Sequence, residues 1–190
     1  MKDLPEKTGW IEVVCGSMFS GKSEELIRRI RRAKIARQKV QVFKPAVDNR
    51  FSEVDIVSHD DQRISSEPVG SAKEIMARTD PDTQVVGIDE AQFLGMDLVK
   101  ICERLADEGK RVIVAGLDQD YRGQPFEPIP QLLAVAEFIT KTMAVCMVCG
   151  NPANKSQRLV EGDERVMIGA GGTYEPRCRH CFQFPEKGRS

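Results

Sequence analysis

The sequence contains no apolar run approaching the roughly 18–20 residues that a membrane-spanning helix requires. Its first ten residues, MKDLPEKTGW, carry no apolar core of the secretory-signal type. It also lacks an excess of either charge: 28 Lys and Arg against 29 Asp and Glu leave a net −1. A balanced chain has no global pull toward nucleic acid or an anionic membrane. The expectation is a cytoplasmic protein with no membrane or nucleic-acid partner. There is no internal repeat and no low-complexity tract. In a reducing compartment disulfides are disfavoured, so the six cysteines read as metal ligands or buried thiols.

What is present is a chain of 190 residues, enough for one domain and a small appendage. Residues 1–9 read as a polar tail. Strands are predicted over 11–15, 40–43, 84–89, 111–118 and 138–146, with helices over 22–37, 71–78, 94–108 and 131–137. Pro45 ends the second strand, Ser71 is placed as a helix cap and Gly109 as a helix stop. Residues 46–66 are polar and read as a long loop. Basic residues Arg28, Arg29, Arg31, Arg32, Lys34, Arg37 and Lys39 read as a solvated helix face. Strands alternating with helices imply an α/β fold, a mostly parallel sheet with helices on both faces. The character changes near residue 146, where cysteines, glycines and charges replace helical periodicity. The expected organisation is a nucleotide-binding domain over 10–145 and a small stapled domain over 146–190.

Gly16-Ser17-Met18-Phe19-Ser20-Gly21-Lys22-Ser23 matches the phosphate-loop pattern G-x-x-x-x-G-K-[ST] and lies between a predicted strand and a predicted helix. Glycines let the backbone wrap close to phosphate oxygens, and the positive end of the helix faces the anion. Lys22 then reaches the β- and γ-phosphates, and the Ser23 hydroxyl ligates Mg²⁺. A guanine-reading [NT]-K-x-D motif is absent, because Asn154-Lys155 is followed by Ser156-Gln157. That favours ATP.

The strand over 85–88 ends in Asp89-Glu90. An acid at such a strand end is the expected Mg²⁺ partner, which assigns Asp89. Glu90 is the candidate general base, taking a proton from an attacking hydroxyl or from water. Two C-x-x-C pairs, Cys146 with Cys149 and Cys178 with Cys181, can each offer two thiolates from one turn. Four thiolates complete a tetrahedron around Zn²⁺, so the site is closed and structural, and an Fe–S cluster is the alternative. Cys15 and Cys102 have no such pattern and read as core residues. His180 reads as an exposed or outer residue of the second pair.

In one order the chain carries MFSGKS, DEAQF, a GLDxxYxxxPF segment and the late CxxC…CxxC. This combination, running from about residue 11 to 181, resembles the type II thymidine kinases. The resemblance implies a P-loop α/β domain with a zinc domain bearing a lasso loop. It also implies transfer of the ATP γ-phosphate to thymidine with Mg²⁺, giving dTMP. Glu90 would be the catalytic base, with Asp89 and Ser23 at the Mg²⁺ positions and Ala91 beside them in the ATP site. Asp48 and Arg50 would lie near the phosphates and sugar. Met18, Phe93, Leu117, Tyr121, Phe126 and Tyr174 would surround the nucleoside, and Arg165, Val166, Met167, Ile168 and Gly169 would supply the lasso backbone that reads the thymine edge. Cys146, Cys149, Cys178 and Cys181 would hold the zinc. A homotetramer and dTTP as feedback inhibitor are implied as well. The chain departs from the family pattern in Ser17 where Pro is frequent, Leu94 where an aromatic is frequent, and Tyr121 where Phe is frequent. Two rival readings share the phosphate loop: a nucleic-acid-dependent ATPase with a zinc ribbon, and a regulatory nucleotide-binding module in which Glu90 only caps a helix.

Overall fold

The computed structural model describes residues 8–46, 55–57, 63–162, 165 and 172–184, with the backbone alone at 55–57 and 63. In chain order the elements are β1 (Trp10–Gly16), α1 (Lys22–Ile35), β2 (Val40–Pro45), β3 (Asp55–Val57), β4 (Arg63–Ser65), β5 (Glu67–Val69), α2 (Ala72–Arg78), β6 (Val85–Ile88), α3 (Asp97–Asp107), β7 (Arg111–Leu117), α4 (Ile129–Val135), β8 (Phe138–Thr142), β9 (Ala144–Val145), β10 (Pro152–Ala153), β11 (Lys155–Arg158) and β12 (Tyr174–Arg177). A 3₁₀ turn covers Ala91–Phe93.

Six strands form one sheet in the order β5-β2-β6-β7-β1-β8, and every pairing in it is parallel. Parallel strands need both faces covered, so alternate residues of one strand enter different cores. On β1, Ile11, Val13 and Cys15 pack with residues of α2, α3 and α4, while Val14 packs with Leu26, Ile27, Ile30 and Ala33 of α1. On β7 the same alternation sends Val112 and Val114 to one side and Ile113 and Ala115 to the other. Cys102 lies in the first of these cores, as read from the sequence.

Four local readings are corrected. Within the expected loop 46–66, β3 and β4 pair as a short antiparallel hairpin, and β5, which follows directly, adds an edge strand to the sheet. Three-residue strands are too short to show a period. The strand expected over 138–146 is split: β8 ends at Thr142, and Ala144–Val145 pairs with β10 in a separate sheet. The helix expected from residue 94 begins at Asp97 after the 3₁₀ turn, and Gly95 between them has φ 71. Ser71 sits at the start of α2 without a capping hydrogen bond; Glu74 Oε1 instead accepts the Gly70 N–H at 3.2 Å.

The basic face of α1 is only partly solvated. Arg29 reaches inward to Glu12 of β1 at 2.7 Å and to Thr140 of β8 at 2.8 Å. Arg111 of β7 also pairs with Glu12, at 2.6 Å, and Trp10 donates its indole N–H to the same carboxylate at 2.7 Å. Burial by itself would raise the Glu12 pKa, but hydrogen bonds from Arg111 and Trp10 together with both guanidinium charges hold it below the usual carboxylate range. Glu25, bonded first by Arg28 and then by Arg29, is held down at about 2. Both carboxylates are therefore more acidic folded than unfolded, and the stability they contribute is present above about pH 4.5 and lost as pH falls toward 2. Urea midpoints measured from pH 6 to pH 3 should fall steeply in the native chain, and Glu25→Gln should flatten that fall. An equal slope in both proteins would remove Glu25 from the acid response.

Candidate functional site

The carboxyl ends of β1, β6 and β7 open on one edge of the sheet, which is where α/β sheets place ligands. The chain leaves β1 at Gly16, whose φ of 153 is open to glycine, and a Cβ there would lie 2.4 Å from the Thr142 carbonyl oxygen. Phe19 follows in the left-handed region with φ 62, then Gly21 with φ 81, and α1 begins. The first amides of α1 have no intrahelical acceptors and carry the positive end of the helix dipole.

Hydroxyls tie this loop down. Ser20 Oγ lies 2.7 Å from the Ser17 carbonyl and 2.8 Å from Thr142 Oγ1, which itself lies 3.1 Å from the Cys15 carbonyl. Thr142 at the end of β8 thus joins the strand exit to the loop, a role that no sequence motif announces. Lys22 Nζ donates to the Ser17 carbonyl at 2.8 Å, folding its charge back into the loop. Burial lowers its pKa, while Glu90, Asp89 and Asp118 oppose that shift.

Ser23 Oγ lies 3.2 Å from Asp89 Oδ2, so the first turn of α1 and the end of β6 meet as expected. Asp89 is 6% exposed. Burial, and after it the neighbouring Glu90 charge, pushes its carboxyl up to about 7. A buried carboxylate whose ionisation is opposed, set beside a hydroxyl, is a donor pair suited to a hard divalent cation. Glu90 is exposed and its backbone is left-handed, φ 49 and ψ 40. Gln92 donates its amide N–H to Glu90 Oε2 and accepts the Leu117 N–H at 3.0 Å. Gly116 makes room for this, since a Cβ there would stand 3.0 Å from Gln92 Oε1. Gln92 fixes the carboxylate of Glu90 against β7. The sequence reading passed over it because glutamine on a short turn is ordinarily a surface residue.

The aromatic side chains expected around a nucleoside fall into two groups. Phe93 meets Phe126 edge to face at 6.1 Å, and the Arg165 guanidinium lies 4.4 Å from the Phe126 ring. Arg165 also pairs with Asp120 at 3.2 Å and donates to the Pro125 carbonyl at 3.0 Å. The second group is Tyr121, Arg158 and Tyr174. The Arg158 guanidinium sits 3.5 Å from the Tyr121 ring, and its Nη2 donates to the Tyr174 hydroxyl at 2.9 Å. Arg158, missed in the sequence, joins the two tyrosines. The Tyr121 hydroxyl accepts from Arg122 at 2.9 Å. Leu117 ends β7, Ala91 is buried at the start of the 3₁₀ turn, and Met18 is half-buried in the phosphate loop. Asp48, Arg50, Val166, Met167, Ile168 and Gly169 lie outside the described residues.

The four sulfurs of Cys146, Cys149, Cys178 and Cys181 lie within 4.8 Å of one another, and Cys149 and Cys178 are 3.6 Å apart. A tetrahedron with metal–sulfur bonds of about 2.3 Å has edges of about 3.8 Å, so the set fits a single tetrahedral ion. Both knuckles are tight: Gly150, with φ 74, donates to the Cys146 carbonyl at 2.9 Å, and Phe182 donates to that of Cys178 at 3.0 Å. Burial by itself would raise the Cys146 thiol, but amide hydrogen bonds from Cys178, Val148 and Cys149 bring it down to about 6, while Cys181, hydrogen-bonded to the neighbouring sulfurs, is pushed up to about 12, so the cluster keeps a proton until a cation replaces it. His180 is exposed.

The family model for thymidine kinase matches residues 9–182. A thymidine kinase of Rhodothermus sp. (strain ITI 518) is 63% identical over 177 residues, covering 93% of this chain and 83% of the relative.

The thiolate cluster yields a direct expectation. The purified chain should carry one metal ion per molecule by elemental analysis, and Cys149→Ser should lose it and expose the 146–181 segment to protease. Retention of a full equivalent of metal in that variant would count against a four-sulfur site.

Proposed function

Because the chain belongs to the thymidine kinase family, we propose that it transfers the γ-phosphoryl group of ATP to the 5′-hydroxyl of thymidine, yielding ADP and dTMP. The observation that carries the residue assignment is the meeting of three elements: Ser23 at the start of α1, Asp89 at the end of β6, and Glu90 with its carboxylate held by Gln92. In this reading the loop of Gly16, Ser17, Met18, Phe19, Ser20, Gly21, Lys22 and Ser23 cradles the phosphates. Ser23 and Asp89 hold Mg²⁺, which neutralises charge on the transferring phosphoryl group. Glu90 is the general base, accepting the 5′-hydroxyl proton as the oxygen attacks phosphorus. Lys22 is released from the Ser17 carbonyl to the β- and γ-phosphates.

Flat, uncharged nucleosides suit aromatic walls with few polar groups. Phe93 and Phe126 supply one wall, Tyr121 and Tyr174 another, and Met18 and Leu117 complete the pocket around the nucleoside. The backbone of residues 165–169 reads the base edge, and Asp48 and Arg50 serve the phosphates and sugar. Closing that segment would exclude water, which competes with the nucleoside for the phosphoryl group. The four thiolates hold Zn²⁺, since tetrahedral all-sulfur sites in a reducing compartment are characteristic of structural zinc. Residues 10–145 form the nucleotide domain and 146–190 the zinc domain. A cytoplasmic homotetramer inhibited by dTTP completes the reading; among the described residues no helix is long and apolar enough to cross a membrane.

Incubated with ATP, Mg²⁺ and each nucleoside in turn, the protein should form nucleoside monophosphate with thymidine. Phosphate release stimulated only by DNA would overturn the kinase assignment. Glu90→Gln should lower kcat by about 10²-fold or more, the scale of a lost general base, while Mg-ADP still binds. Near-normal turnover would remove Glu90 from that role.

A further inference from the structure

The phosphate loop is held partly by the cysteine module. The Met18 N–H donates to Ser156 Oγ of β11 at 3.0 Å. Next to it, the buried Ser17 hydroxyl lies 3.4 Å from the Ala153 carbonyl of β10. Phe19, the left-handed residue of the loop, packs against the cluster of Ala144, Cys146, Ala153 and Cys178 that surrounds the thiolates. Three consecutive loop residues thus contact residues 144–178, which lie outside the six-stranded sheet.

Ser156 is 5% exposed and stands opposite Pro176 on β12. The Pro176 carbonyl accepts the Met147 N–H at 3.0 Å, inside the first C-x-x-C turn, and the strand ends at Arg177, directly before Cys178. From Met18 to the knuckles the path is one side-chain hydrogen bond, one strand pair and one backbone hydrogen bond. A chain of this kind is short and polar, and neither end can shift without breaking one of its bonds.

We propose that Ser156 is a positioning residue that links the cysteine module to the phosphate loop, so that zinc at the thiolates and nucleotide at the loop strengthen each other's binding. The inference rests on the nucleotide and zinc assignments above. Its physical basis is that Gly16, Phe19 and Gly21 all have positive φ, and a loop of that shape keeps its amides in register only while its neighbours hold it. Whatever fixes the knuckles fixes Ser156, and through it Met18. Linkage then requires reciprocity: if zinc favours nucleotide, nucleotide favours zinc by the same factor.

The test uses the full zinc-loaded chain. Zinc release to a chromophoric chelator is followed with and without saturating Mg-ADP, and Mg-ADP affinity is measured by calorimetry. In the native chain Mg-ADP should slow zinc release by roughly 3- to 10-fold, the size of one partly buried hydrogen bond. Ser156→Ala should weaken Mg-ADP by a similar factor, raise the ATP KM more than it changes kcat, and cut the retardation of zinc release to below about 2-fold. A merely structural role would speed zinc release without nucleotide and leave the effect of Mg-ADP intact, which would overturn the proposal. So would unchanged zinc release on adding Mg-ADP to the native chain, a result that needs no variant to fold. If the native chain bound no Mg-ADP, the nucleotide reading would fall and the coupling with it; if Mg-ADP bound and zinc release did not respond, only the coupling would fall.

Discussion

A phosphate group held by backbone amides requires a chain that leaves the regular ladder of a sheet and bends tightly before a helix begins. That requirement places Gly16, Phe19 and Gly21 at positive φ within six residues. A bend of this shape is unstable alone, and the rest of the molecule supplies what keeps it. The parallel sheet anchors β1 between β7 and β8, α1 packs across one face, Thr142 bonds the strand exit, and the residues around the cysteines bear on the far side of the loop.

Buried carboxylates are settled in three ways, according to their surroundings. Glu12 is met by two guanidinium groups and an indole, and it stays ionised as a link between α1 and the sheet. Asp89 has a serine hydroxyl and its neighbour's amide but no cation bonded to it among the described residues, so burial drives its pKa up. Asp118, beyond the end of β7, has Lys141 on one oxygen at 2.7 Å while the other finds no donor among the described residues. The first arrangement serves stability. The second leaves a group able to take up a cation, and it stands where phosphates and Mg²⁺ are expected.

Much of the architecture was legible in the chain because parallel strands are apolar throughout and helices repeat every three to four residues. The phosphate loop, the acidic strand end and the cysteine pairs were legible because each compresses its chemistry into a few neighbouring positions. The hairpin of β3 and β4 and the edge strand β5 were not, since three residues carry no period. Gln92, Thr142, Arg158 and Ser156 were not either: a glutamine, a threonine, an arginine and a serine have no signature until their partners are known.

The sequence by itself determined the main strands and helices of the parallel sheet, the loop where phosphates are expected to meet the chain and the four sulfurs that come together. These follow from local periodicity and from ligands spaced a few residues apart. Only the tertiary structure decided what holds those groups in place. Met18 and Ser156 are 138 residues apart, and Ser20 and Thr142 are 122 apart. Hydrogen bonds across such separations leave no pattern in either segment, because each partner needs only a hydroxyl or an amide in the right place, and the fold alone sets that place.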